Sequence, residues 1–168
     1  MTGPSATRRS LVLGLGALGL SACAGRDYST LSRADHVYVL KEERRLYLMQ
    51  SGKQIREFAI DLGFAPQGHK NLSGDGRTPE GEYFIDRKNP RSAYYLSLGI
   101  NYPNQQDMEI ARALNVDPGG DIFIHGEPNG FRGRLQRDWT AGCIAVRNPE
   151  VEEIYARVPM GTPVTILA

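Results

Sequence analysis

A histidine and a cysteine, each at the boundary of an apolar run, could together perform nucleophilic chemistry. Cys143 follows Gly142 and opens the run 144–146, and His125 ends the run 122–124. A thiol attacks a carbonyl as the thiolate, so it needs a nearby base, a role that a histidine can fill. Glycine before the thiol lets substrate approach backbone N–H groups that could hold an oxyanion. The alternative is that both side chains are structural, since most cysteines are inert packing residues.

The N-terminus predicts an export signal. Arg8 and Arg9 precede the uncharged, mostly apolar stretch 11–20, which is too short to span a bilayer. The following Leu20-Ser21-Ala22-Cys23 resembles the lipobox of bacterial lipoproteins, in which the cysteine is acylated and becomes the new N-terminus. We therefore predict a lipoprotein-type signal peptide at 1–22 and lipidation of Cys23. Ordinary cleavage that leaves Gly25 first, and the choice between the Sec and twin-arginine routes, remain open.

Lipidation of Cys23 would change the meaning of Cys143. The sequence has 2 cysteines, so Cys143 would have no disulfide partner within the exported domain. A lone thiol in an oxidising compartment is a liability unless it reacts, which favours a catalytic Cys143. Without Arg8 and Arg9, 18 basic and 19 acidic residues remain, a net charge of −1. This balance of charges gives no indication of nucleic-acid binding. From the predicted signal peptide and lipidation, we expect a periplasmic protein attached to the membrane by its lipid.

Strand-like runs dominate the rest of the chain. We predict a tether at 23–34 and one domain at 35–168, large enough to bury its own core. The predicted strands begin with an antiparallel meander and are His36–Leu40, Arg45–Met49, Ile55–Leu62, Glu82–Asp86, Ala93–Leu98, Asp121–His125, Cys143–Arg147 and Pro163–Leu167. Helical spacing predicts helices at Asn104–Leu114 and Pro149–Val158. The sequence thus predicts a mainly β fold, a β-sandwich with one or two short helices.

Four motifs in a fixed order resemble a known family. They are the glycine-rich loop Gly74–Tyr83, the segment Ser97–Pro103, Ile124-His125-Gly126, and Thr140–Ile144. Each is weak alone, but the ordered series resembles the L,D-transpeptidase catalytic domain, also called the YkuD domain. The resemblance extends from about residue 36 to 167 and implies a β-sandwich whose cysteine attacks a peptidoglycan stem peptide.

The resemblance implies roles for five positions. Cys143 matches the nucleophile and His125 the proton donor and acceptor. Gly142 lies in the turn whose backbone amides face the oxyanion, and Gly126 supplies a carbonyl that could orient the imidazole. Thr140 matches a Ser/Thr position at the substrate site. In the family, the thiol displaces a terminal D-alanine from a tetrapeptide stem, and the thioester at the diaminopimelate carbonyl is resolved by an amine or by water.

Two positions depart from the common family pattern. Ala141 replaces a frequent histidine, and Ala145 replaces a frequent arginine. If Cys143–Arg147 is a strand, Cys143, Ala145 and Arg147 share one face, and Arg147 could bind a substrate carboxylate instead. The alternative for Arg147 is a solvated cation at the strand end. The sequence Thr-x-Gly-Cys-Ile-Ala-Val resembles a sub-branch that includes hydrolytic relatives.

Three functions therefore remain open. The first is a transferase that passes the stem peptide to an amine, giving cross-links or a protein anchored to the wall. The second is a hydrolase with the same acyl-enzyme, an L,D-carboxypeptidase or an amidase that releases a wall-linked protein. The third is a non-catalytic wall-binding lipoprotein, against which the combination of His125 and Cys143 argues. The sequence does not separate transfer from hydrolysis.

Other candidate residues receive smaller roles. His36 and His69 lack metal-ligand spacing to the other candidates, so we assign no metal and no other cofactor. Trp139 fits a half-buried aromatic beside the turn better than a substrate platform. The segment between His125 and Cys143 contains three arginines that could close over an anionic peptide, although solvated loop charge is the default; they are Arg132, Arg134 and Arg137.

Overall fold

The computed structural model describes residues 30–168 together with residues 1, 3 and 28. Nearly all of the predicted signal peptide, the start of the predicted tether and Cys23 lie outside the described residues. The described part contains eight strands: β1 His36–Leu40, β2 Arg45–Gln50, β3 Lys53–Ala59, β4 Gly81–Ser92, β5 Tyr95–Ile100, β6 Phe123–His125, β7 Ile144–Ala145 and β8 Pro163–Leu167. It also contains two helices, α1 Gln105–Leu114 and α2 Asn148–Arg157.

These strands form one connected mixed sheet in the order β3-β2-β1-β8-β4-β5-β6-β7. The predicted meander is confirmed, because β1 pairs with β2 and β2 with β3, both antiparallel. The pairs β1–β8 and β6–β7 are parallel. The long strand β4 pairs with β8 through its first residues and with β5 further along. Thus β4 belongs to both halves of the sheet.

The two halves enclose a common hydrophobic core. Alternate residues of β1 and β2 are fully buried, as period-two strands with one covered face require; they are Val37, Val39, Leu46 and Leu48. They belong to the same cluster as Leu98, Ile124 and Ile144 of the other half. Helix α2 adds Val151 and Ile154 to that cluster. The prediction of a mainly β fold with short helices is confirmed.

The segment that follows β3 bridges to the segment around β7, so the two terminal strands of the sheet are linked. The Asp61 N–H donates to the Ala145 carbonyl at 2.9 Å, and the Ala145 N–H donates back to the Asp61 carbonyl at 2.8 Å. Gly63 forms a second isolated bridge with Thr140. Because Thr140 and Ala145 flank Cys143, these bridges fix the cysteine segment to the opposite edge of the fold.

Both helices begin where the sequence predicts, to within one residue. The Asn104 side chain accepts a hydrogen bond from the Asp107 N–H, and the Asp107 carboxylate accepts one from the Asn104 N–H, a capping box that starts α1. Asn115, with φ of 53°, ends the helix in the left-handed conformation. Neither helix in residues 30–168 is long and apolar enough to cross a membrane.

The predicted strand Cys143–Arg147 is wrong in its extent. Pairing is limited to Ile144 and Ala145, and the chain then turns into α2 with Arg147 at the N-cap. Ala145 is 2% exposed and Val146 is buried too, so the two-residue alternation that would align Cys143 with Arg147 does not occur. A helix start overrides the strand pattern here, because Pro149 fits the first turn of a helix.

Candidate active site

The register of β5, β6 and β7 places the catalytic candidates on one face of the sheet. His125 lies between Ser97 on β5 and Ala145 on β7. Ile124 pairs with Ile144, and both are fully buried in the core. Since successive residues of a strand point to opposite faces, His125 points away from that core. Cys143 immediately precedes Ile144, so it meets the same outward face beside β6.

A backbone carbonyl orients the imidazole of His125. The ring is 3% exposed, and Nδ1 lies 2.7 Å from the Gly126 carbonyl oxygen. A carbonyl can only accept, so Nδ1 carries the proton and Nε2 keeps its lone pair. The contact between His125 and the Gly126 carbonyl is the one that the sequence predicts. It leaves Nε2 as a base.

Two aromatic rings enclose the imidazole. The Tyr94 ring centroid lies 4.6 Å from that of His125, and Trp139 contacts His125 edge-on at 5.6 Å. Tyr94 and Trp139 are 5.9 Å apart. Burial lowers the pKa of His125 below its ordinary value of 6.5, with the Gly126 hydrogen bond opposing the change. The imidazole is therefore neutral at physiological pH.

The Cys143 thiol is free and partly buried. In this resting geometry it donates to the Asp121 carbonyl at 3.5 Å. Burial raises the pKa of Cys143 above its ordinary value, and the Asp121 charge adds to the rise. The backbone N–H of Phe123 and the charges of Lys70 and Arg87 oppose it. Thiol and imidazole are therefore both neutral before substrate binds.

A threonine hydroxyl builds the turn that presents the thiol. Thr140 Oγ1 donates to the Cys143 carbonyl at 2.7 Å and accepts from the Gly142 N–H at 3.1 Å. Gly142 has φ of +134°, and a Cβ there would lie 2.7 Å from the Arg77 carbonyl oxygen, so the turn requires glycine. The sequence predicts that amides of this turn face the oxyanion, but the Gly142 N–H is already committed to Thr140.

A bidentate ion pair fastens the segment before this turn. Arg44 donates through Nε and Nη2 to the Asp138 carboxylate at 3.0 and 2.8 Å. Asp138 also accepts from the Leu62 N–H at 3.0 Å, and its own N–H donates to Asp61 Oδ1 at 3.1 Å. These contacts position Trp139, the neighbour of Asp138, against His125. Sequence reasoning missed the pair because its members are distant along the chain.

Arg147 and the arginines of the segment between His125 and Cys143 lie on the surface away from the Cys143 thiol. Arg147 Nε donates to Glu150 Oε1 at 3.0 Å, and the Arg147 side chain is 76% exposed. A cavity of about 370 Å³ is lined by Arg147, Arg134 and Trp139 among others. Arg132 and Arg137 are exposed. The structure thus places two of the predicted cations beside the tryptophan that contacts His125.

Arg87 is another residue that sequence reasoning missed. Its guanidinium lies over the Phe123 ring, 4.6 Å from the centroid. It donates to Asp86 at 2.8 Å and to Asp121 at 3.0 Å. Asp121 is the residue whose carbonyl accepts the Cys143 thiol. The sequence could not reveal this cluster, because it depends on a register shift in β4 between Ile85 and Arg87.

The remaining histidines make structural contacts. His36 Nε2 lies 2.8 Å from Thr165 Oγ1. His69 Nδ1 contacts the backbone of Glu80, and its Nε2 lies 3.3 Å from Asp107 Oδ1. In the described part of the chain, no group of three or more His, Cys, Asp or Glu side chains could hold a metal ion.

Comparison with known proteins identifies the fold. The family model of the L,D-transpeptidase catalytic domain (YkuD) matches residues 34–166. No curated protein matches the chain significantly. A mutant of the helical cell shape determining protein Pgp2 from Campylobacter jejuni is similar, with 30% identity and a TM-score of 0.63, over 80% of this chain and 47% of that one.

Two further solved structures share this fold. Bd1075 from Bdellovibrio bacteriovorus is 28% identical with a TM-score of 0.57, over 81% of this chain and 48% of that one. An L,D-transpeptidase from Enterococcus faecium is 17% identical with a TM-score of 0.52, over 81% of this chain and 50% of that one. The chain thus spans about half the length of these proteins.

Proposed function

Because the chain belongs to the L,D-transpeptidase catalytic domain family, we propose that it is a cysteine acyltransferase acting on peptidoglycan stem peptides. The observation that carries the proposal is the free Cys143 thiol, held in a glycine turn on the same sheet face as His125. The imidazole has its Nδ1 proton fixed by Gly126, so Nε2 is available as a base.

The resting state decides the order of proton transfers. Because both groups are neutral, His125 Nε2 removes the thiol proton as sulfur attacks the stem-peptide carbonyl. The carbonyl oxygen becomes an oxyanion, which we assign to the Cys143 N–H because the Gly142 N–H is committed to Thr140. When the C–N bond breaks, the imidazolium returns its proton to the departing amine and leaves a thioester.

The same imidazole serves the second half-reaction. An amine of another stem attacks the thioester, His125 accepts the proton of that amine, and the thiolate leaves and is reprotonated. Water in place of the amine gives hydrolysis through the same intermediate. The two outcomes differ in which nucleophile reaches the thioester, so they share every residue of the acylation step.

Incubation with defined muropeptides tests the proposal. We expect intact-mass analysis to show an acyl adduct on the wild-type protein and none on Cys143→Ala. An added amine acceptor should divert the product from the hydrolysed tripeptide to a new amide. Hydrolysis unaffected by the acceptor would identify a carboxypeptidase, and an adduct that survives Cys143→Ala would refute the assigned nucleophile.

We also propose that the domain acts in the periplasm as a lipoprotein anchored through Cys23. The lipobox-like Leu20-Ser21-Ala22-Cys23 supports this location. Peptidoglycan lies in the same compartment, so a tethered enzyme would meet its substrate there. The similarity to Pgp2, described as a cell shape determining protein, supports a contribution to cell shape through wall modification.

A further inference from the structure

A β-bulge in β4 places two charged side chains, Asp86 and Arg87, against the same residue of β5, Gly99. Ile85 pairs with Ile100 and Arg87 with Gly99, so Asp86 is an extra residue in β4. Such a bulge breaks the alternation of side chains, and bulges are frequent beside active sites, where they re-aim a residue. A Cβ on Gly99 would lie 2.6 Å from Arg87 Cγ and 2.9 Å from Asp86 Oδ1. Both side chains therefore lie over Gly99, in the space that a larger residue would fill.

The Arg87 side chain extends across the sheet towards Cys143. Gly99 pairs with Phe123, whose ring lies under the guanidinium at 4.6 Å. Arg87 Nη2 then reaches the Asp121 carboxylate, while the carbonyl of the same Asp121 accepts the thiol. A single residue thus separates the guanidinium from the nucleophile.

In the cluster of Asp86, Arg87 and Asp121, the contact between Arg87 and the exposed Asp121 can be replaced by a contact with a ligand. Asp86 Oδ2 accepts from Arg87 Nη1, and in residues 30–168 its buried Oδ1 has no hydrogen-bond partner, a cost that a purely structural pair does not require. The Asp121 side chain is 88% exposed, so its pair with Arg87 contributes little to stability. An incoming carboxylate can replace Asp121 on the guanidinium, in the bidentate geometry that arginine favours.

From this arrangement we infer that Arg87 binds the free carboxylate of the residue that leaves during acylation. The inference depends on the proposed function and names the substrate class more narrowly. The carboxylate of a terminal D-alanine lies directly beyond the scissile nitrogen, so it is the anion that comes nearest to the thiol. An amide that links the stem to a protein side chain has no carboxylate at that position. Arg87 thereby favours stem tetrapeptides over wall-linked proteins as acyl donors.

This role is the one that the sequence assigns to Arg147. The position of the frequent family arginine is Ala145, which is buried and bridged to Asp61, so it cannot present a cation. Arg147 begins a helix and pairs with Glu150. Arg87 instead approaches from the β5 side of β6, along the row that contains Gly99 and Phe123, and its guanidinium contacts Asp121, whose carbonyl accepts the thiol.

Binding and acylation experiments separate the inference from the proposed function. Binding of a stem tetrapeptide and of its C-terminal carboxamide is measured by calorimetry in a Cys143→Ala background, which needs no catalysis. We expect Arg87→Gln to weaken binding of the acid about tenfold to a hundredfold and to leave the carboxamide unchanged. Acylation of protein with Cys143 intact should show the same selective loss in kcat/KM. Absence of any acyl adduct on the wild type would refute the proposed function, while the binding result still decides the inference.

Two companion variants sharpen the test. Arg45→Gln is the matched control, because Arg45 is also 40% exposed and paired with a carboxylate, Glu57, but lies on β2. It should bind both peptides like the parent. Asp121→Asn removes the competing carboxylate and tolerates the φ of 57°, so it should tighten binding of the acid. Equal losses for acid and carboxamide in Arg87→Gln, or weaker acid binding by Asp121→Asn, would overturn the inference.

Discussion

His125 and Cys143 are both shifted towards their neutral forms, which makes the rate depend on pH in a defined way. Burial lowers the pKa of His125 from 6.5, so the base is lost only when the pH falls below that value. We expect the acidic limb of kcat/KM for acylation to have its midpoint below pH 6.5. A pH–rate profile with the tetrapeptide measures it, and a midpoint above 6.5 would contradict the assigned environment.

The pH dependence of alkylation of the Cys143 thiol independently tests whether the resting thiol is neutral. Burial raises the pKa of Cys143 above 9.0, so alkylation by iodoacetamide should still accelerate as the pH rises past 9. A rate that is independent of pH between about 6.5 and 8 would instead reveal a preformed thiolate–imidazolium pair. The two profiles together show whether the proton moves before or during attack.

The hydroxyl of Thr140 links the two sides of the catalytic turn. Thr140→Val keeps the shape but leaves the Gly142 N–H and the Cys143 carbonyl without their partner. Each orphaned group at this buried position costs about 1–3 kcal/mol, and the turn should shift, so both unfolding free energy and acylation rate should fall. Thr140→Ser keeps the hydroxyl and is the matched control. A loss in Thr140→Ser as large as that in Thr140→Val would contradict the prediction, because the serine variant keeps the hydroxyl.

At the scale of elements, the Arg44–Asp138 pair fastens the catalytic turn to the β1–β2 connection. Burial raises the pKa of Asp138, but the Arg44 and Leu62 hydrogen bonds outweigh it, so the pKa lies below 3.8. A lowered carboxyl pKa stabilises the fold above the unfolded pKa and is lost as pH falls through the folded one. We expect Asp138→Asn to lower the unfolding free energy by about 1–3 kcal/mol at pH 7.

Urea unfolding at several pH values tests this linkage. The difference between wild type and Asp138→Asn should shrink as the pH falls from about 4, where the carboxyl of the unfolded chain takes up a proton, through the lower pKa of Asp138 in the folded state. Glu57→Gln removes the exposed pair with Arg45 and should change stability little. A difference that stays constant down to pH 2 would mean that the charge of Asp138 contributes nothing.

At the scale of the whole molecule, local patterns predict the elements but not the contacts between them. Strand-like runs locate β1 and β8 to the residue, and helical spacing locates the start of α1 within one residue. The predicted strand Glu82–Asp86 stops too early, because β4 continues to Ser92 through an irregular stretch that accommodates Pro90. Proline usually ends a strand, so no local rule predicts that continuation.

The same distinction applies to the site. His125 and Cys143 lie in recognisable motifs, and Gly142 before the cysteine indicates a turn with positive φ. Arg87 is found only through the register of three strand pairs, which the sequence does not encode locally. For Arg147 the sequence leads to a wrong prediction. Extending the strand pattern past Ala145 places the Arg147 side chain on the same face as Cys143, but the chain instead turns into α2 at Arg147.

The last prediction concerns the attachment of the whole molecule. If Leu20-Ser21-Ala22-Cys23 is a lipobox, the mature protein begins at an acylated Cys23 and sediments with membranes. Metabolic labelling with a fatty-acid analogue should mark the wild type and Cys143→Ala, which keeps Cys23, but not Cys23→Ala. Two acyl chains give stable anchoring, so high salt should not release the labelled protein. Soluble, unlabelled protein that begins at Gly25 would instead establish ordinary cleavage, and label that depends on Cys143 would mean acylation of the catalytic thiol.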